Sequence, residues 1–405
     1  MTKWQQAILL IKHFATGLLI PVLNVLLLQK GATLQTLPLL LAIFSVTVVC
    51  MELPSGIFAD MFGRKMAFLL SCVMHTIAIV MLFAGNHIAW LVSAMIFCGL
   101  GRAFSSGSLD ALFIDQAMHR LGDNVLAKVT ARLMVLEGVG FAAGSIAGGF
   151  LASVTHTYLS NLAVQAFLYM TLFVICLRVV SEHPIVQTKQ RVSLKSHLNQ
   201  GKQVVLSSRR FTWLLMGVLV VGFFLSTVET YWQSNFIRLS KSDNIAWMLG
   251  FITFTGFVTV ILGSTFGQRF MDRYKSKWWI IYTIGRMLFG VSIVVLAIQG
   301  TVGGFVAGYV IVYMFLGINS VVETTLLNKM TPASMRASML SLSSLIAQIG
   351  MILAAVFSSL LVGIVGSSGI WVTAGVLMGG YALAMVFSIR GKESVVRGSR
   401  LPENQ

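Results

Sequence analysis

Eight ionisable residues stand inside long apolar runs: Lys12, Glu52, Arg102, Asp110, Glu137, Glu229, Arg286 and Glu323. A charge in hydrocarbon costs about 2.5–3.5 kcal/mol on insertion scales, so each needs a partner, a watery cavity or a task. A carboxyl removed from bulk water can bind and release a proton near neutral pH, which is the chemistry of a proton carrier. Glu52 and Glu229 are the first candidates for that chemistry, being farther from an aqueous edge than Glu137 or Glu323. Structural pairing, of Glu52 or Asp110 with Arg102 or Lys12, would account for these charges equally well. Arg286 is expected to snorkel to the inner surface, and His13 and His75 read as packed helix histidines.

Other chemistries leave no trace. The chain has neither a GxxxxGK[ST] phosphate loop nor an HExxH pair, so no enzyme activity, metal or bound cofactor is expected. Cys50, Cys72, Cys98 and Cys176 lie in apolar segments without a CxxC pair and read as small hydrophobes. Any work the protein does is expected to draw on a proton gradient.

The elements that hold these charges are apolar to a degree no water-soluble domain reaches. Of 405 residues 57% are hydrophobic and 10% charged, with a mean hydropathy of +0.86, against about 25% charged in soluble domains. About 20 apolar residues cross a bilayer as a helix. Twelve segments qualify, at roughly 7–28, 37–58, 66–84, 89–112, 133–153, 160–180, 211–232, 246–268, 278–298, 302–325, 339–363 and 369–389. Runs of this length exclude a transmembrane barrel. The opening MTKWQQAILLIKHFATG lacks a small-residue cleavage site, so the first segment is expected to stay in place.

Orientation follows from the bases. Only Lys30, Arg238 and Lys241 fall in one set of loops and only Lys12, Arg102 and Arg286 within spans. The remaining Lys and Arg residues gather on the other side, which gives an N-in, C-in topology. The same distribution explains the net charge of +16 through anionic lipid, without nucleic acid. The polar interval 181–210 divides the segments six and six, giving halves at 1–180 and 211–390 and a cytoplasmic tail at 391–405. Leu194, Leu198 and Val205 space themselves as one face of a short amphipathic helix in that linker. Acid followed by bases recurs after segments 2 and 8, in Gly56…Asp60…Gly63-Arg64-Lys65 and Gly267…Asp272-Arg273-Tyr274-Lys275, as a duplicated six-helix unit requires.

Gly56-Ile57-Phe58-Ala59-Asp60-Met61-Phe62-Gly63-Arg64-Lys65 resembles the loop 2–3 signature of the major facilitator superfamily, G-x-L-A-D-R-x-G-R-K, with Phe58 and Met61 as departures. Gly140…Gly144-Ser145…Gly148-Gly149 in segment 5 is similar to the G-x-x-x-G-P-x-x-G-G motif of its proton-coupled exporters, with Ser145 in place of proline. Arg102…Gly107 is one residue longer than the R-x-x-x-G often found in segment 4. The resemblance covers the whole chain. It implies an all-α membrane protein of twelve helices in two pseudo-symmetric halves, with segments 1, 4, 7 and 10 around a central cavity and 2, 5, 8 and 11 between the halves.

Lys12, Arg102, Asp110, Glu229 and Glu323 would then face or approach the pathway, with Tyr231, Trp232, Tyr313 and Phe315 near it. Tyr231 and Trp232 equally suit an interfacial belt. Asp60, Arg64 and Lys65 would form a gating loop between Gly56 and Gly63, with Arg64 placed to pair with Asp115. The glycines of segment 5 would allow close helix approach. The implied function is proton-coupled efflux of a lipophilic or cationic small molecule by a monomer in the cell membrane. The first alternative is uptake of a sugar, organic acid or other nutrient; a non-transporting receptor or assembly factor is the remaining one.

Overall fold

The computed structural model describes residues 1–122, 126–182, 209–240, 244–274, 277–331 and 336–398, and its regular elements are all helices. Hydrocarbon offers no partner for a free N–H or C=O, so an apolar chain satisfies its backbone within each segment. The helices are α1 (Lys3–Gly17), α2 (Leu23–Gln29), α3 (Thr36–Phe62), α4 (Arg64–Ala84), α5 (Ile88–Ser105), α6 (Leu109–Leu121) and α7 (Leu126–Thr155). They continue as α8 (Leu159–Val179), α9 (Arg209–Ser240), α10 (Ala246–Arg273), α11 (Trp278–Ala297), α12 (Val302–Met330) and α13 (Arg336–Gly398). Ten helical stretches among the described residues are long and apolar enough to cross a bilayer. The first segment falls outside that number because it is broken into short pieces, and the last two are joined in α13, which kinks at Gly366 with φ +68°.

Two breaks within apolar segments have identifiable causes. Thr2 and Gln5 form a capping box that starts α1, and the helix stops at Gly17. Four residues on, Pro21 has no N–H to return to the Gly17 carbonyl, and its ring excludes a regular turn. Residues 18–22 are therefore irregular, and α8 supplies the donors that this stretch lacks. Gln165 donates to the Ala15 carbonyl at 3.0 Å, and Asn161 donates to those of Leu18 at 2.8 Å and Gly148 at 2.9 Å. The second break is Ser106-Gly107-Ser108, where Gly107 takes φ +67° and separates α5 from α6. The linker reading at 181–210 lies outside the described residues from 183 to 208, as does the tail beyond 398.

The chain forms two units. The first comprises Met1–Thr188, Glu229–Val258 and Ala355–Ile364. In it α7 lies against α1 through glycines. A Cβ on Gly144 would come within 2.4 Å of the Phe14 carbonyl, and one on Gly148 within 2.1 Å of that of Leu18. Gly149 instead meets Gly250 of α10, backbone to backbone. Asn24 of α2 donates to the Glu229 carbonyl of α9 at 2.8 Å, and the Tyr231 hydroxyl donates to the Leu34 carbonyl at 3.1 Å. Tyr231 and Trp232 are thus buried instead of forming an interfacial belt.

The second unit comprises Lys189–Val228, Thr259–Ala354 and Val365–Gln405. It repeats the packing device: a Cβ on Gly350 of α13 would clash with the Leu219 carbonyl of α9, and one on Gly222 with that of Ala347. Segment 11 so stands to segment 7 as segment 5 stands to segment 1. Large side chains such as Ile298, 71% exposed, and Phe387, 74% exposed, show an outer surface made for hydrocarbon.

Candidate functional site

The charges inside the apolar segments sort into pairs and singles. In the first unit Lys12 of α1 donates to Asp110 of α6, Nζ to Oδ2 at 3.1 Å, across 98 residues of sequence. Asp110 stands in the first turn of α6, directly after the break, where the free N–H groups of a helix start favour a negative charge. The Ser108 hydroxyl bonds back to the Ser105 carbonyl, so it does not cap α6. Oδ1 of Asp110 is shielded and has no hydrogen-bond partner. Around the pair, His13 packs edge-on to Phe141, His75 stacks on Tyr169 at 4.6 Å, and Tyr169 meets the Thr16 hydroxyl. Both histidines are packed residues, as the sequence suggested.

Arg102 and Glu52 are exposed, and Glu137 is half-buried. Among the described residues none of the three makes a hydrogen bond through its side chain or an ion pair. The Ser55 hydroxyl donates to the Ala103 carbonyl, and Gly99 lies against Thr47, so Glu52 and Arg102 ride on adjacent helices at a similar depth. Glu229 lies eleven residues before the end of α9, since that helix runs to Ser240; it is therefore further inside the element than the expected boundary at 232 implied.

In the second unit Glu323 of α12 accepts from Arg286 of α11. Arg286 does not snorkel: its side chain is 1% exposed and lies over the Tyr282 ring, 4.9 Å from the centroid. Tyr282 donates to the Tyr381 hydroxyl at 3.1 Å, which passes the bond on to the Trp213 carbonyl at 2.7 Å. Asn319, one turn before Glu323, donates to the Gly285 carbonyl. A desolvated guanidinium is matched here by one carboxylate, one aromatic face and a chain of phenols.

The loop between α3 and α4 is built more tightly than its sequence suggests. Gly63 takes φ +97°, which L side chains rarely adopt, and α4 begins at once. Arg64 donates to Asp115 of α6, Nη1 to Oδ2 at 2.5 Å. Lys65 donates to the Leu177 carbonyl at the end of α8. The carboxylate of Glu182 then accepts the backbone N–H groups of Arg64 and Lys65, at 2.7 and 3.0 Å, and caps the start of α4. Asp60 is exposed, with no bond among the described residues. Gly56 faces open space, so close approach is not its reason here.

Glu182, Asn161 and Gln165 escaped the sequence reading as site-building residues, and Arg286 was expected to snorkel instead of pairing with Glu323. Asn161 and Gln165 carried a signal, two amides four apart in an apolar run. Glu182 carried none, because its partners are backbone groups 117 and 118 residues away.

Comparison with known proteins fits this architecture. The family model described as Major Facilitator Superfamily matches residues 7–240. The uncharacterized MFS-type transporter YxaM of Bacillus subtilis (strain 168) is 24% identical over 378 residues, 91% of each chain. The quinolone resistance protein NorA of Staphylococcus aureus (strain MRSA252) is 23% identical over 275 residues, 66% of this chain and 67% of its own. The nucleoside transporter NupG superposes with a TM-score of 0.76 at 14% identity, covering 96% of this chain and 98% of that one. A POT family transporter in complex with a thioalcohol-conjugated peptide does so at 0.72, also at 14% identity, covering 96% of each.

Proposed function

The chain belongs to the major facilitator superfamily, and from that premise we propose that it exports lipophilic or cationic small molecules in exchange for protons. The observation that carries this reading is the Lys12–Asp110 pair, an acid and a base on two helices that are both broken within their apolar segments. Interrupted helices mark substrate and coupling sites in secondary transporters. The likeness to a quinolone resistance protein supports export and a drug-like substrate. In this reading the chain crosses the cell membrane twelve times with both ends inside, works as a monomer, and uses no bound cofactor. Its halves alternate access to a central site, and the Asp60–Arg64–Lys65 loop with Asp115 and Glu182 steadies one gate. Glu52, Asp110, Glu137, Glu229 and Glu323, with Lys12 and Arg102, are the groups open to proton coupling.

A second reading, uptake of an organic acid, has one observation in its favour: Arg102 is an exposed cation without a bonded partner among the described residues. Cells expressing the protein decide between them. Export predicts lower steady-state ethidium, restored by a protonophore, and loss of that effect in at least one of Glu52→Gln, Asp110→Asn, Glu229→Gln and Glu323→Gln. Ethidium levels indifferent to the protein, with proton-driven accumulation of carboxylates, would replace export by uptake.

A further inference from the structure

The Lys12–Asp110 pair is asymmetric in a way that bears on where the exchanged proton resides. The lysine side chain is 6% exposed and the aspartate side chain 33%. Oδ1 of Asp110 is shielded, so the open edge of the carboxylate is that of Oδ2, the oxygen Lys12 already holds. A cationic group arriving at that edge meets the same atom. One carboxylate in apolar surroundings does not neutralise two cations, and an unpaired buried ammonium is strongly disfavoured against its neutral amine. A quaternary or phosphonium charge is fixed on its carrier. The charge of Lys12 is a proton on Nζ, which can leave.

We propose that Lys12 is the proton carrier: a cationic substrate takes Asp110, and Lys12 releases its proton as it loses the carboxylate. The balance is direct. The Nζ–H bond breaks with its electron pair left on nitrogen, the proton passes to water, and Asp110 stays ionised throughout. The site is neutral before and after, with one proton exchanged per monovalent cation. When the substrate leaves, Lys12 takes a proton back and the pair reforms.

The neighbours of Lys12 allow this. On its own helix stands His13; α5 brings Arg102 and α4 brings His75 and Cys72 within electrostatic reach of Lys12 or His13, and α8 brings Tyr169 to the Thr16 hydroxyl. Arg102 and the start of α6 disfavour a further positive charge once Asp110 is engaged. The α7 residue Glu137 lies one turn before Gly140, which packs on His13, and makes no ion pair with Lys12. The breaks at 18–22 and 106–108 put each partner on its own half-helix, free to part without bending a continuous element.

The inference rests on the export reading for the charge of its substrate, and the test separates the two. Tetraphenylphosphonium is bound to the purified full-length protein in weakly buffered solution with a pH-indicator dye. Wild type is expected to release about one proton per probe bound, and to bind about tenfold more tightly per unit rise in pH. Lys12→Arg keeps the ion pair and the fold but holds its proton at every accessible pH; it is expected to release none and to bind at least tenfold more weakly. Lys12→Met is expected to bind without release and independently of pH, and Asp110→Asn to lose binding at least tenfold. Release persisting in Lys12→Arg, or abolished instead by Glu52→Gln or Glu137→Gln, assigns the proton to a carboxyl and overturns the inference while export stands. Wild type that neither binds nor transports the probe overturns both.

Discussion

Arg286 shows what a buried charge demands of its surroundings. Its guanidinium has given up water for one carboxylate, the face of Tyr282 and the field of two phenols. Removing one partner of such a pair typically costs about 3–5 kcal/mol, whereas replacing both by apolar residues is nearly neutral. Glu323→Leu alone should therefore lower the thermal midpoint of the purified protein markedly, and Arg286→Met with Glu323→Leu should recover most of it; equal losses in both would deny the pairing an energetic role. Glu182 offers a gentler case at the same scale. In Glu182→Leu the Arg64 and Lys65 amides lose their acceptor, and hydrogen exchange at 63–66 is expected to accelerate while the rest of α4 keeps its protection. Glu182 carried no signal in the sequence, whereas the members of the three ion pairs were each legible there as charges. Their pairing was only partly so, because the partners lie 98, 51 and 37 residues apart and are chosen by helix packing.

At the scale of elements, glycine placement is decided by what lies opposite. Gly148 has the Leu18 carbonyl 2.1 Å from where a Cβ would stand, and Gly56 has nothing within 4 Å. Gly148→Val should force α1 and α7 apart and depress folded yield, while Gly56→Ala should leave yield and thermal midpoint unchanged. If both behave alike, the close approach of α1 and α7 is not what the motif secures. Asn161 adds a third variant: Asn161→Leu strands the Leu18 carbonyl at the break, at about 1–3 kcal/mol, and removes the second bond to Gly148, so it should destabilise more than its added apolar area compensates. The glycine motif could be read from sequence because its spacing repeats every four residues. The helix breaks could not, since 7–28 and 89–112 each read as a single span by length and composition, and only Pro21 and Gly107 hinted that backbone geometry would interrupt them. The extension of α9 to Ser240 was hidden for the opposite reason: Gln233, Ser234 and Asn235 read as the polar end of a span, yet Gln233 and Asn235 are buried.

For the whole molecule the bilayer makes the fold legible, because it permits few solutions to an apolar chain of this length. Twelve apolar segments and a bias of bases give the topology, and the resemblance of the loop at Gly56–Lys65 to a family signature is what points to the superfamily to which the chain belongs. Substrate and direction are not legible in the same way. They depend on which side chains share a cavity and on the order in which charges part, and a relative at 23% identity fixes neither. The most direct test of the account is flux of tetraphenylphosphonium in proteoliposomes of the purified protein under an imposed pH gradient, run in both polarities. Proton-coupled export predicts uphill movement of the probe toward the acidic compartment, reversed when the gradient is reversed. It also predicts loss of that movement with a protonophore and in Asp110→Asn. Movement of the probe that ignores the gradient, or that follows protons in the same direction, would contradict it.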